Sequence, residues 1–489
     1  MRITHRPLTT LALALGLFTA ALEMTVVSTA MPAVVSDLGG LHNYAWVFTA
    51  YMLASTITVP IYGKLADLYG RKPVLLFGIA LFLVGSIASG LSTSMEVLIA
   101  FRILQGLGAG AIQPVAVTVV GDLYTLEQRA RVQGAFSAVW GLAGLIGPLT
   151  GGLIVKYLTW HWIFFVNVPI GLGAFLLLTV FFHERIERKP QRLDIAGAVL
   201  LSAGVVLLLV GVQGMGAPLP AFGGAAVLLI AFVFVELRTA APLLPMSLFR
   251  IPAIAISAVA GALFSSAQFG ATTYVPLYVQ AVLGRSATQA GGMITPMIVG
   301  WPLASLVVGP LILRMGFRPL IVGGFGLAGV GTALMALLLR PGAPLLIPEL
   351  AMGVFGVGLG LASTSLLIAV QTSVGWELRG VATASNMFFR NIGGALGVGL
   401  MGGVMVSRLT EDPSIPLSAA NQLLGAEHGR GLSPEVLHSL GDALGRGLSI
   451  NFWLICASTV GAFAAALFFP RMKRPTPTAL PSSDAVAPH

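Results

Sequence analysis

The sequence predicts an all-α polytopic membrane protein of 14 spans, two six-helix halves separated by two additional helices. Three observations predict it. Of 489 residues, 56% are hydrophobic and only 9% charged, against roughly 25% charged in soluble domains. Apolar runs of about 20 residues, the length that crosses a bilayer as a helix, recur along nearly the whole chain. The glycines and charges of the first part also recur in the last, at an offset of about 250 residues.

The spans fall at about 8–31, 45–66, 74–93, 96–121, 132–156, 160–182, 194–214, 219–238, 252–281, 287–313, 319–339, 346–373, 380–406 and 447–470. Arg2 and Arg6 precede the first, and Ser28-Thr29-Ala30 has the form of a cleavage site. The run is long for a signal peptide, however, and Glu23 interrupts it, so it reads as a retained first helix. Spans 2 and 3 are joined by GKLADLYGRKP, Gly63 to Pro73, whose charges are Lys64, Asp67, Arg71 and Lys72. Lys and Arg collect in short cytoplasmic loops, so this basic hairpin marks the cytoplasmic side. The lone Asp among cations suggests a specific partner as well.

An even number of spans puts both termini on one side. With the N-terminus inside, cytoplasmic segments hold about 19 of the 27 Lys and Arg. They include Arg185, Arg188, Lys189 and Arg192 in the middle linker and Arg471, Lys473 and Arg474 in the tail. The outer segments hold Lys156, Arg285, Arg340, Arg408, Arg430 and Arg446. A net charge of +9 would suit nucleic acid, but cations set singly beside apolar runs are topology signals, and no nucleic-acid partner is expected. The lone Cys456 excludes an intrachain disulfide. The outer loop at about 407–446 is expected to carry a short amphipathic helix around Pro434 to Leu444, and the Pro/Ser/Ala-rich tail is expected to be disordered.

Gly63, Gly70, Lys72 and Pro73 recur as Gly309, Gly316, Arg318 and Pro319. Gly106, Gly108 and Gly110 recur as Gly356, Gly358 and Gly360, and Glu127 and Arg129 as Glu377 and Arg379. Gly144, Gly147 and Gly152 recur as Gly394, Gly397 and Gly402. Parallel repeats about an axis along the membrane normal are the logic of transporters with two six-helix halves. The offset exceeds six helices by roughly the length of two more spans. The expected organisation is 1–190 for the first half, 191–240 for the inserted pair, 241–474 for the second half and 475–489 for the tail.

Residues shared by both halves read as scaffold, since small side chains let helices approach closely. Polar residues present once are the functional candidates. Arg102 has Met352 as its repeat partner, Arg390 has Trp140, and Glu23 falls opposite the region of Ala267 and Gln268. A carboxylate deep in a spanning helix is costly unless it faces a cavity or a partner. Gly16, Thr19, Ala20, Glu23, Val27 and Ala30 form one stripe of mostly small or polar residues. Counting inward from the outer helix ends, at about 1.5 Å per residue, Arg102 lies roughly 8 Å deep and Glu23 roughly 10 Å. The two can meet across helices 1 and 4. Gln105 and Gln113 share the face of Arg102.

These motifs resemble those of the major facilitator superfamily. Gly63, Asp67, Gly70, Arg71 and Lys72 match the signature loop between its helices 2 and 3. LEMTVVSTAMP, Leu22 to Pro32, resembles the first-helix motif of the 14-helix drug:proton antiporter branch, with Glu23 where that motif usually has Asp. RILQGLGAGAIQP resembles the motif in which the Arg, here Arg102, supports proton coupling. Gly141 to Gly152, containing Gly147, Pro148, Gly151 and Gly152, resembles the fifth-helix motif associated with exporters. TWHWIFFVNVPIG also resembles the branch, and Trp160 and Trp162 read as outer-interface anchors.

The resemblance implies the major facilitator fold and a monomeric inner-membrane antiporter that exchanges protons for a small-molecule substrate. Asp67 would accept a hydrogen bond from Arg131 or cap a helix start in the other half, gating the cytoplasmic side. Met24, Trp140, Phe269, Tyr274 and Phe388 are candidates to line the cavity, with Gln105, Gln113, Gln268, Glu23 and Arg390 as polar contacts. The expected substrate is hydrophobic or cationic, as in multidrug efflux, although Arg102 and Arg390 leave anions and zwitterions open. Export of one endogenous molecule such as a lipid or siderophore is the alternative within the fold. No GxxxxGK[ST] loop and no His cluster occurs, so no cofactor is expected and an ion gradient would supply the energy. An embedded enzyme would need clustered His, Asp or Glu, and a sensor or channel fits poorly with a two-half repeat.

Overall fold

The computed structural model describes residues 4–38, 44–184, 194–212, 218–239, 241–285, 287–340, 344–410 and 434–472. The middle-linker cations, most of the 407–446 loop and the tail lie outside them. The described residues form 15 α-helices and no strand. They are α1 (Arg6–Leu38), α2 (Tyr44–Tyr69), α3 (Arg71–Gly90), α4 (Met95–Leu123), α5 (Leu126–Tyr157), α6 (Trp162–Phe165), α7 (Asn167–Phe181) and α8 (Ile195–Val212). Then follow α9 (Pro218–Arg238), α10 (Pro252–Ala281), α11 (Ala287–Met315), α12 (Phe317–Leu338), α13 (Leu346–Thr372), α14 (Arg379–Thr410) and α15 (Pro434–Leu467).

Twelve stretches among the described residues are long and apolar enough to cross a membrane, α6 and α7 counting as one. The predicted spans 45–66 and 380–406 coincide with α2 and α14, which are long but less apolar. Two expectations are corrected. The sixth span is broken at Val166, because Pro169 in the first turn of α7 has no N–H to offer the carbonyl of Phe165. The separate helix near Pro434 is the start of α15, which continues without a break into the last span.

The sequence repeat reappears as a packing repeat. In the first half α1 packs on α5 and α7, α2 on α4, and α3 on α4. In the second half α10 packs on α14 and α15, α11 on α13, and α12 on α13. The halves meet along two matching seams, α5 with α11 and α2 with α14. The inserted helices α8 and α9 pack on each other, and α8 leans on α2 and α14 at one of those seams.

Glycines make the matching approaches possible. A Cβ on Gly108 would meet Phe82 N and Gly78 O, and one on Gly358 would meet its repeat equivalents Ala328 N and Gly324 O. Backbone meets backbone at both places, so any side chain would force the helices apart. The connections α2–α3 and α11–α12 are single residues, Gly70 with φ 98° and Gly316 with φ 83°. That conformation favours glycine, which explains why the signature loop repeats in this form.

Candidate functional site

Four polar side chains converge between α1, α4 and α7. Glu23, Arg102, Gln105 and Asn167 are each at most 1% exposed. Helical spacing places Glu23 on the inward stripe of α1 and Arg102 and Gln105 one turn apart on α4. Arg102 Nη1 donates to Glu23 Oε1 and, at 2.7 Å, to Gln105 Oε1. Its Nε donates to the Val47 carbonyl at 3.1 Å, and its guanidinium lies 4.3 Å from the centre of the Tyr51 ring. Arg102 thus points inward and does not snorkel to the interface.

The other oxygen of Glu23 accepts a hydrogen bond from Asn167 Nδ2. Asn167 also donates to Ser86 Oγ at 3.2 Å, and Ser86 donates to the Phe164 carbonyl. The carboxylate is therefore held by a cation on one side and an amide on the other, away from water. Gln105 Nε2 and Asn167 Oδ1 remain buried without a partner. A buried ion pair of this kind costs desolvation that the pairing offsets only while both partners are present. Arg102 makes its contacts to Glu23, Val47, Gln105 and the Tyr51 ring at the same time. Asn167 was not singled out from the sequence; the only signal was an amide inside an apolar run.

A second network ties the halves together at the end bearing the α2–α3 connection. Asp67 accepts hydrogen bonds from the backbone N–H of Gly380 at 3.1 Å and of Val381 at 2.8 Å, at the start of α14. Arg71 is fully buried and pairs with Asp67 at 2.9 Å, Asp122 at 3.1 Å and Glu184 at 3.8 Å. It also donates to the Trp376 carbonyl at 3.1 Å and lies 4.1 Å from the centre of the Trp376 ring. Arg379 donates to Asp122 at 2.6 Å. Lys72 Nζ reaches the Thr179 carbonyl at 2.8 Å, and its backbone N–H reaches Glu184 at 3.0 Å. Burial pushes the Glu184 carboxyl above its usual range. A Cβ on Gly63 would collide with Ala384 of α14.

Arg131 takes no part in this network. Its side chain is 64% exposed and pairs at 3.3 Å with Glu127 on its own helix. Of the two contacts expected for Asp67, the structure has the helix start. Asp122, Glu184 and Trp376 join the network without having been singled out, and Arg379, noted in the sequence only as the repeat of Arg129, joins it too. Their signal was faint: a charge at each of several helix ends.

In the fifth-helix motif, Gly147 and Gly151 face Thr25 and Thr29 of α1, while Gly152 borders open space. Pro148 is helical, and its side chain lies outside those described. Trp160 is buried and donates to Asp37 at 2.8 Å, so it is a fixed structural contact; Trp162 is the exposed one of the pair. Tyr274 is buried and donates to the Val398 carbonyl at 2.7 Å, and Phe388 is buried in the core, so neither lines accessible space. Met24, Gln113, Gln268 and Phe269 are half-buried, and Trp140 is 36% exposed. Arg390 is half-buried on α14, with its guanidinium 4.8 Å from the centre of the Phe264 ring.

The family model described as Major Facilitator Superfamily matches residues 13–398. The chain is 39% identical over 424 residues to "Multidrug transporter protein MdtP" of Bacillus subtilis (strain 168), covering 84% of this chain and 78% of that one. It is 34% identical over 408 residues to "Multidrug resistance protein 3" of the same organism, covering 82% and 80%. Among solved structures, the proton:xylose symporter XylE superposes with a TM-score of 0.62 at 16% identity, covering 96% of this chain and 97% of that one. The human organic anion transporter MFSD10 superposes with a TM-score of 0.59 at 16% identity, covering 93% and 100%.

Proposed function

The chain belongs to the major facilitator superfamily, and from that premise we propose that it is a proton-coupled exporter of hydrophobic or cationic compounds. It is a transporter and not an enzyme. All fourteen helical segments cross the cell inner membrane, α2 and α14 included, in a 6 + 2 + 6 arrangement with both termini cytoplasmic. Multidrug transporters among its relatives support the substrate class.

The observation that carries the reading is the enclosed Glu23–Arg102–Asn167 cluster. A lone carboxylate buried among polar groups in a spanning helix is a functional site by default. Here it has a cation that holds it when ionised, and that cation is itself fixed by Val47, Gln105 and the Tyr51 ring. Proton uptake and release at Glu23 thus exchanges two arrangements of α1, α4 and α7. The Asp67–Arg71 network on the cytoplasmic side is the gate that alternates with them.

Glu23→Gln tests this in proteoliposomes with an imposed pH gradient. The variant keeps the shape and removes the titratable group. It should insert and fold but lose uphill, gradient-driven export. Export at the wild-type rate and pH dependence would overturn the coupling role.

A further inference from the structure

The second half holds the opposite kind of cluster, one with donors and no acid. Arg390 carries no hydrogen bond or ion pair among the described residues, and its buried Nε is without a partner. One turn earlier on α14, Asn386 is 5% exposed and its Nδ2 is unpartnered too. Both side chains lie against Gly261 of α10: a Cβ there would be 3.2 Å from Arg390 Cγ and 3.8 Å from Asn386 Nδ2. One turn to either side of Gly261, on the same face of α10, stand Ser257 and Ser265. They are 0% and 1% exposed, and each has a hydroxyl oxygen without a partner. The guanidinium lies 4.8 Å from the centre of the Phe264 ring.

An uncompensated cation in the middle of a spanning helix is costly. Buried donors that lack acceptors are rare in folded proteins. Such groups on two facing helices describe a site built for something absent from the described residues. An acceptor-rich anion satisfies an Arg N–H, an amide N–H and a hydroxyl together; the two serines stand about 12 Å apart along α10, so one acid group reaches one of them. The first-half cluster cannot serve, because Arg102 is already neutralised by Glu23.

We propose that Arg390 and Asn386, with one of the two serines, bind the acid group of amphiphilic substrates: a carboxylate, sulfonate or phosphate attached to an apolar body. The proposal rests on the exporter reading and extends its substrate class to amphiphilic acids and zwitterions.

The test is equilibrium binding by the full-length protein in phosphatidylcholine nanodiscs, with no gradient, so its outcome is independent of proton coupling. The probes are a xanthene dye with a free carboxylate and the same dye as its methyl ester. Wild type should bind the free acid about tenfold tighter than the ester, in line with a charge-assisted hydrogen bond. Arg390→Gln should erase that preference while leaving ester affinity unchanged. Arg390→Lys should retain part of it, and Asn386→Leu should weaken it. The ratio of two ligands on one preparation cancels losses of folded protein. Adding phosphatidylglycerol should leave the preference intact. Its disappearance there would make a lipid headgroup the occupant and overturn the substrate assignment. Equal affinities in wild type, an unchanged ratio in Arg390→Gln, or an equal loss for both probes would overturn the site.

Discussion

Asp67 caps a helix of the other half: its carboxylate accepts the backbone N–H of Val381, 314 residues on, at 2.8 Å. The first N–H groups of a helix have no partner within the helix, and its N-terminus favours negative charge. The acid of one half therefore completes a helix of the other. Arg71 holds that acid from behind, and Asp122 links Arg71 to Arg379 beside the capped end.

Replacing Asp67 with Asn keeps the shape and removes the charge. One side-chain oxygen becomes an NH2 group facing a backbone N–H. Loss of one hydrogen bond to a charged group costs about 1.5–3 kcal/mol, which should shift the balance toward states open at this end. Cysteines introduced near Gly63 and Ala384, in a background lacking Cys456, should label faster from the Asp67 side. Unchanged labelling from both sides would leave the loop as a topology signal alone.

Asn167 and Glu23 should be energetically coupled. Asn167→Leu strips the donor from one oxygen of a buried carboxylate, at a cost of about 1–3 kcal/mol. In Glu23→Gln the site carries no negative charge, so the same Leu substitution should cost less. A cycle of thermal melts on the two single variants and the double variant should show an interaction energy of about 0.5–3 kcal/mol. Strict additivity would mean that Asn167 packs beside the cluster without holding it.

Removing residues of about 190–240 with a flexible replacement linker should leave both halves inserted in their original orientations, since removing two spans preserves parity and the positive loops remain. Some loss of stability is expected, because α8 rests on α2 and α14. Topology reporters at 284–287 and in the C-terminal tail give the answer. An inverted second half, or a cytoplasmic 284–287 loop in the intact chain, would end the 6 + 2 + 6 reading.

Much of the scaffold was legible in the sequence because its causes are local. Gly70 and Gly316 announce one-residue connections, and the Gly106–Gly110 and Gly356–Gly360 runs announce helices that touch at the backbone. Glu23 and Arg102 stood out because a charge in an apolar run is conspicuous wherever it folds. The partners were harder to read. Arg131 sits near Asp67 in the argument from motif, but Glu127, one turn away on its own helix, is always within reach and takes it. Trp160 reads as an interface anchor until Asp37, 123 residues away, claims its indole N–H.

The sequence by itself determined where helices run and which halves repeat. Hydropathy over a span and a backbone that must satisfy its own hydrogen bonds in lipid leave few alternatives. Only the tertiary structure decided which polar groups meet: Glu23 with Asn167, Arg71 with Asp122 and Trp376, and Arg390 with no acid among the described residues. Those meetings depend on how helices far apart in sequence cross and rotate. Small residues permit the close approaches, but the pattern within any one helix does not encode which side chain of another helix will lie opposite.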